Sequence, residues 1–310
     1  MVDEPIANDE EELFGGEAII LEEVKQDESE LDAQLFAKGI TDTVLIFRKD
    51  TFFMYDFNSK SGWQIGDITE ASLRDTVRDN SSVVAVIPEE HKTNEMQAIV
   101  SGGWEPTIRS GSQDTFSLSF QSEFVNTVKN YMCTANKELP PMLFNRYMHQ
   151  SVIVKGKTGA FTLIAIGGKT DVNNWTNSVE QLILTPYFRT GMTTKDESGK
   201  LVALTSEWTR CADMSSARSN FAVLNFRNTV YVFGGIQGAG AEGEPHRPVI
   251  VEHTIERYLP QIDRWEDIKI PNAPSLAAFS WAVMDEHSLI ILGGTDGNIM
   301  LEDMYVIDLK

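Results

Sequence analysis

Four segments of the chain share one plan: QAIVSGG (Gln97 to Gly103), TLIAIGG (Thr162 to Gly168), TVYVFGG (Thr229 to Gly235) and SLIILGG (Ser288 to Gly294). Each is a short apolar run, rich in β-branched residues, that stops at a glycine pair. The pairs are Gly102–Gly103, Gly167–Gly168, Gly234–Gly235 and Gly293–Gly294. Their second glycines lie 65, 67 and 59 residues apart. A self-similar period of this length is one supersecondary unit used repeatedly, each unit too small to bury its own apolar face.

The residues around each pair define the unit. Around Gly167–Gly168 stand SVIV (Ser151 to Val154), SVEQLIL (Ser178 to Leu184) and Trp208. Around Gly234–Gly235 stand NFAVLN (Asn220 to Asn225), HTIERYL (His253 to Leu259) with Tyr258, and Trp265. Around Gly293–Gly294 stand FSWAVM (Phe279 to Met284) and DMYVIDL (Asp303 to Leu309) with Tyr305, one strand short of a full unit. Earlier, TVLIF (Thr43 to Phe47), TFFMYDF (Thr51 to Phe57) and Trp63 make an incomplete unit, and SVVAVIP, QAIVSGG, TFSLSF and Tyr131 a second. Each unit reads as four short antiparallel strands, a to d, with turn residues between. The b runs are apolar throughout, as expected of strands buried on both faces. The fold class that follows is all-β: a β-propeller of four-stranded antiparallel blades, about five in number with six as the alternative, the first and last incomplete. Pairing of Thr43 to Phe47 with Asp303 to Leu309 is the expected closure.

At these residues the chain resembles the kelch-repeat family, whose signature is an apolar run closed by Gly-Gly and followed by a Tyr and a Trp. Gly234–Gly235 with Tyr258 and Trp265 fits it well, Gly167–Gly168 with Trp208 fits apart from an insertion, and Gly293–Gly294 with Tyr305 fits as far as it goes. Gly102–Gly103 with Tyr131 is degenerate, with Tyr where Trp is usual. The resemblance covers residues 43–310 and implies a propeller whose loops bind other proteins.

Charge sorts the remaining possibilities. Residues 1–35 hold 13 Asp and Glu against Lys25 alone, so they carry −12 of the net −20. Residues 1–40 therefore read as a largely disordered acidic arm with one short apolar segment, LFGGEAIILEEV (Leu13 to Val24). An acidic chain repels phosphate backbones and anionic bilayers, which argues against nucleic acid and membrane as partners. No basic region followed by an apolar run opens the chain, and two cysteines, Cys133 and Cys211, suit a reducing compartment, so the expected location is cytoplasmic.

In antiparallel order the b–c loops and d–a segments share one end of a propeller. The b–c loops place Trp104, Asn174, Trp175, His246, Arg247 and Asp296 on that rim, residue types common in protein-binding hot spots. They are the candidate partner-binding residues. Catalytic chemistry is hard to find. Gly156–Lys157–Thr158 precedes a strand rather than a helix and lacks the first glycine of a phosphate loop. His149, His246 and His253 have no paired zinc spacing, and Asp296–Gly297–Asn298 lacks the alternating acids of a calcium loop. The reading is a non-enzymatic protein-interaction module with no cofactor or metal and no catalytic residue. The alternatives are a small-molecule enzyme with a site at the axis, and a structural subunit of a larger complex.

Overall fold

Every apolar run before a glycine pair is a β-strand, and its neighbours complete a small antiparallel sheet. The computed structural model describes residues 43–48, 51–56, 63–67, 78–86, 96–125, 128–136, 139–155, 160–184, 193–195, 201–203, 206–239, 247–250, 255–269, 273–283 and 288–308, and no helix occurs among them. The acidic arm and His246 lie outside these residues.

The first sheet is β1 (Thr43–Arg48), β2 (Thr51–Asp56) and β3 (Trp63–Asp67). Blade 1 follows, with β4 (Ser82–Val86), β5 (Met96–Ser101), the small hairpin β6 (Trp104–Glu105) and β7 (Ser110–Gly111), then β8 (Thr115–Val125) and β9 (Val128–Asn136). Blade 2 has β10 (Gln150–Lys155), β11 (Phe161–Ile166), β12 (Val179–Ile183), the hairpin β13 (Thr193–Lys195) and β14 (Leu201–Ala203), and β15 (Thr209–Arg210). Blade 3 has β16 (Ala222–Phe226), β17 (Thr229–Phe233), the hairpin β18 (Ile236–Ala239) and β19 (Arg247–Ile250), β20 (Ile255–Leu259) and β21 (Arg264–Ile268). Blade 4 has β22 (Ser280–Val283), β23 (Ser288–Leu292) and β24 (Met304–Asp308). These sheets form a four-bladed β-propeller, blades 1 to 3 with four strands and blade 4 with three.

The sheet β1–β3 adds a fifth, three-stranded unit, and β3 runs close to β9 of blade 1. The expected pairing of the first and last strands is not formed. Among the described residues β1 pairs with β2 and β24 with β23, and the two edge strands are not joined to each other. Trp63 opens β3 and is exposed, so it does not fill a blade junction.

Register aligns the segments that lead into the first strand of each blade. Two residues before that strand stand Asn80, Met148, Asn220 and Ala278, all left-handed at φ 61, 52, 54 and 53°. Left-handed backbone is costly for residues with a Cβ, and its recurrence at one position in four blades marks a shared turn. Their peptides link the blades directly. Met148 N–H donates to the Asn80 carbonyl (3.0 Å), Asn220 N–H to Met148 (3.3 Å) and Ala278 N–H to Asn220 (3.0 Å).

The glycine pairs complete each junction. The N–H groups of Gly103, Gly168 and Gly235 donate to the carbonyls of Arg146, Arg218 and Leu276 in the next blade, at 2.9, 2.8 and 2.8 Å. Gly167, at φ +58°, lies under the Arg218 carbonyl, where a Cβ would come to 2.8 Å of the oxygen. Apolar side chains then fill the space between sheets. Ile153, Leu163 and Leu182 of blade 2 pack with Ile99 of blade 1. Ile164, Ile166 and Val179 pack with Phe221, Val223 and Val232 of blade 3. Leu224, Phe233 and Ile255 pack with Ile291 and Ile307 of blade 4. Each such side chain contributes about 1.5–3 kcal/mol when fully buried.

The outer aromatics clamp each blade to its own lead segment. Trp208 is buried and its Nε1–H donates to the Pro140 carbonyl (2.9 Å). Trp265 Nε1–H donates to the Ala212 carbonyl (2.8 Å), and its ring lies 5.0 Å from that of buried Tyr258. Tyr305 packs against the junction of blades 3 and 4. Tyr131 lies on β9, and its side chain is outside the described set.

Gly167→Ala is expected to destabilise the chain by about 1–3 kcal/mol from backbone strain alone, and further because the Arg218 carbonyl must move. Gly293→Ala should cost the same strain with a smaller displacement, since the nearest atom to its Cβ is a carbonyl of its own blade at 3.1 Å. Urea unfolding of both variants measures the difference.

Candidate functional site

Two kinds of chain segment build the rim where blades 1, 2 and 3 meet. The b–c loops bring Trp104 from blade 1, and Lys169, Asp171 and Trp175 from blade 2. The segment leading into blade 2 brings Tyr147, held to Lys169 by two backbone hydrogen bonds of 2.9 Å each. The Trp104 and Tyr147 ring centroids are 4.8 Å apart. Lys169 Nζ stands 3.9 Å from the Trp175 centroid and 5.9 Å from that of Tyr147, and donates to the Val172 carbonyl (2.6 Å). Trp175 Nε1–H donates to Ser219 Oγ of the segment leading into blade 3 (3.1 Å). The result is a continuous row from blades 1 and 2, Trp104–Tyr147–Lys169–Trp175, with Tyr147 buried and the other three half-buried, that reaches blade 3 through Ser219.

Charge in the row is tuned by burial. Loss of water lowers the Lys169 pKa, and Asp171 opposes that shift only in part. Burial raises the Asp171 carboxyl, but hydrogen bonds from the Asn174 side chain and from the Asn173 and Asn174 peptides outweigh it and leave the pKa lowered. Tyr147 O–H donates to the Asp171 carbonyl (3.1 Å), which ties the loop tip to the row.

Beside the row, the same two loops carry exposed apolar tips. Ile108, in the β6–β7 turn, is 69% exposed, and Val172, in the adjoining loop, is 42% exposed. The two loops are joined because Gly111 N–H and Ser110 Oγ both donate to the Thr170 carbonyl (2.8 Å each). Ile108, Arg109, Val172 and Asn173 therefore crown a braced aromatic base.

The candidate residues divide between roles. Trp104 and Trp175 are part of the row, each packed on a neighbour and only half exposed. Asn174 is exposed and holds the loop turn by donating to Asp171 Oδ2 (2.7 Å). Asp296 is exposed and accepts from the Asn298 and Ile299 peptides (2.8 and 3.0 Å), which caps its own turn in blade 4. Arg247 opens β19, and its side chain, like His246, lies outside the described set. Tyr147 and Lys169 were missed by the sequence reading. The available signal was that d–a segments share the rim with b–c loops, which puts an aromatic after Arg146 beside Trp104.

The row rests on a buried ion pair. Arg146, next to Tyr147, meets Glu180 of β12 at 2.7 Å, with both side chains fully buried. Its guanidinium also donates to the Gly167 and Ser178 carbonyls (2.8 and 3.1 Å), and Leu143 N–H donates to Glu180 Oε2 (2.6 Å). Blade 3 repeats this with Arg218 and Glu256 at 2.5 Å, and Ser215 N–H donating to Glu256 Oε2 (2.6 Å). Desolvation lowers both guanidinium pKa values, and the paired carboxylates oppose it. Register places Arg78 and Phe116 at these positions in blade 1, and Leu276 and Tyr305 in blade 4. Arg78 turns instead to Glu105 and Asp114 (3.1 and 2.7 Å).

His149 sits in the junction of blades 1 and 2, where its Nε2 shares a 2.9 Å hydrogen bond with Ser101 Oγ. Phe221 and Phe279 hold the equivalent positions in blades 3 and 4. Burial, reinforced by the nearby Arg146 charge, holds the imidazole pKa well below 6.5. Among the described residues, no three His, Cys, Asp or Glu side chains gather in one group.

Fold and rim together define a β-propeller with a braced aromatic rim built from the loops of successive blades. No family model matches the chain. A segment of 111 residues is 30% identical to beta-scruin of Limulus polyphemus, spanning 33% of this chain and 11% of that protein. The repeat and the fold are those of a β-propeller, and the likeness to beta-scruin covers about a third of the chain.

Two variants test the electrostatics. Arg146→Leu alone should cost about 3–5 kcal/mol by stranding a buried carboxylate. Adding Glu180→Tyr, which copies blade 4, should recover most of that loss in thermal or urea melts. For His149, the unfolded chain takes up a proton near pH 6.5 while the folded chain does not. Stability should therefore be level above that pH and fall below it by up to about 1.4 kcal/mol per pH unit for this one group. His149→Phe should flatten that acid limb, as read from stability against pH.

Proposed function

We propose that the protein is a non-enzymatic interaction module that holds a partner protein on the rim formed by blades 1 to 3. The observation that carries this reading is the row Trp104–Tyr147–Lys169–Trp175, with Ile108 and Val172 exposed on the loops that bear it. Aromatic residues held rigid by their neighbours, with apolar tips presented to solvent, are the arrangement in which binding energy concentrates, since little side-chain entropy remains to be lost. The acidic arm is a second, electrostatic handle whose contribution is to the rate of encounter with a basic partner more than to final affinity.

The test uses Ile108→Glu with Val172→Glu, two exposed positions whose change leaves the row intact. The full chain and this variant are used to capture partners from native extract, with identification by mass spectrometry. A partner bound by the native chain and lost by the variant, at matched melting temperatures, is the expected result. A partner held equally by both would move binding away from this rim.

A further inference from the structure

Among the described residues, the junction between blades 1 and 2 is polar at positions where the next two junctions are apolar. The register aligns three such positions: the residue before the glycine pair, and two on the chain entering the next blade. Between blades 2 and 3 they are Ile166, Phe221 and Val223, buried together in one cluster. Between blades 3 and 4 they are Phe233, Phe279 and Trp281, again in one cluster. Between blades 1 and 2 they are Ser101, His149 and Ser151, buried as deeply at 1, 1 and 7% exposure. Ser101 Oγ stands in the middle, 2.9 Å from His149 Nε2 and 3.0 Å from Ser151 Oγ. Such a triad holds two blades together less strongly than packed Ile, Phe and Val, because each of its hydrogen bonds replaces one to water.

The triad has one titratable member, and its surroundings offer nothing to a second ring proton. His149 Nδ1 has no hydrogen-bond partner among the described residues. The Cβ position of Gly102 lies 2.7 Å from His149 Cε1, and that of Gly168 lies 2.7 Å from His149 Cβ, so backbone of both blades closes on the residue. The charged group nearest the imidazole is Arg146 on the same lead segment, which is paired with Glu180 of β12. β5 brings Ser101 and Gly102, β10 brings Ser151 and the end of β11 brings Gly168, none of them charged. Arg78 of blade 1 is held by Glu105 and Asp114. An imidazolium in this place would stand unhydrated beside a guanidinium, with no carboxylate of its own.

The rim crosses the same junction. Ser101 lies three residues before Trp104, and His149 two residues after Tyr147. Gly103 N–H donates to the Arg146 carbonyl (2.9 Å) and Met148 N–H to the Asn80 carbonyl (3.0 Å), joining the blades beneath the Trp104–Tyr147 contact. Parting blades 1 and 2 would hydrate His149, and the same movement separates Trp104 from Tyr147.

We propose that proton uptake by His149 opens the junction between blades 1 and 2 and takes the rim apart, so that a partner protein held there is released on acidification. Release of the partner rests on the function proposed above, and opening of the junction does not. An open junction presents a hydrated imidazole that protonates near pH 6.5, whereas the closed junction resists the proton. The closed-to-open ratio is therefore level above about pH 6.5 and falls by up to about tenfold per pH unit below it.

Hydrogen exchange of the full chain between about pH 7.5 and about pH 5, corrected for the intrinsic rate at each pH, reads the opening with no partner present. Protection of the Gly103, Tyr147 and Met148 amides should stay level at first and then fall by up to about tenfold per pH unit, while Gly235 and Ala278 at the junction of blades 3 and 4 do not follow. His149→Gln keeps a donor for Ser101 and cannot titrate, so it should remove the fall. Equal loss at every junction would show general acid unfolding and overturn the proposal. Unchanged protection, or a fall that survives His149→Gln, would overturn it too. A captured partner should dissociate faster on acidification from the native chain and not from His149→Gln. A junction that opens while the partner stays bound would overturn the release and place binding away from the rim.

Discussion

The backbone hydrogen bond from the second glycine of one blade to the lead segment of the next is the contact on which the rest of the molecule depends. It brings a peptide N–H under a neighbouring carbonyl at 2.8 to 2.9 Å in three successive junctions. Such an approach leaves no room for a Cβ at the preceding glycine, and it requires a left-handed turn in the partner segment. Once it forms, the apolar faces of two sheets are brought into register and their side chains interdigitate. Sheet-on-sheet burial supplies most of the energy, but the peptide contact fixes which surfaces meet.

The buried Arg–Glu pairs play a different part. Removing two charges from water costs several kcal/mol per ion, and the attraction between them recovers this only when every remaining donor and acceptor is satisfied. Arg146 and Glu180 come close to that condition, through two backbone carbonyls, a hydroxyl and two backbone N–H groups besides each other. Blade 4 shows that the same space can be filled by Leu276 and Tyr305, so the ion pair is not what makes a blade. It fixes the lead segment in one position. In blade 2 that segment carries Tyr147, and the precision of the aromatic rim follows from a charge pair buried beneath it.

The rim itself is made between blades, not within one. Trp104, Tyr147 and Lys169 reach each other across a junction, and Trp175 reaches Ser219 across the next. A surface of this kind is only as rigid as the stacking below it, which couples any binding there to the stability of blades 1 to 3. The exposed tips Ile108 and Val172 lie on short hairpin and loop turns braced by the same junction, so they can differ in sequence without disturbing the core.

Much of this was legible beforehand in particular residues. Four glycine pairs at a near-constant period, with apolar runs before them, located the b strands, and Tyr258 and Trp265 located the third and fourth strands of blade 3. The rim was half legible: loop polarity identified Trp104 and Trp175, but Tyr147, Lys169 and the braced tips depend on contacts between residues more than twenty apart. The closure expected from the terminal strands was not formed: β1 and β24 are edge strands of separate sheets, and whether two edges meet depends on where the sheets lie in space. The sequence by itself determined the period, the strand pattern and the places where only glycine fits, since these are set by backbone sterics and local hydrophobic alternation. The tertiary structure alone decided which charges are paired and which tryptophans are braced, because those follow from how the sheets stack in space and no single repeat contains that information.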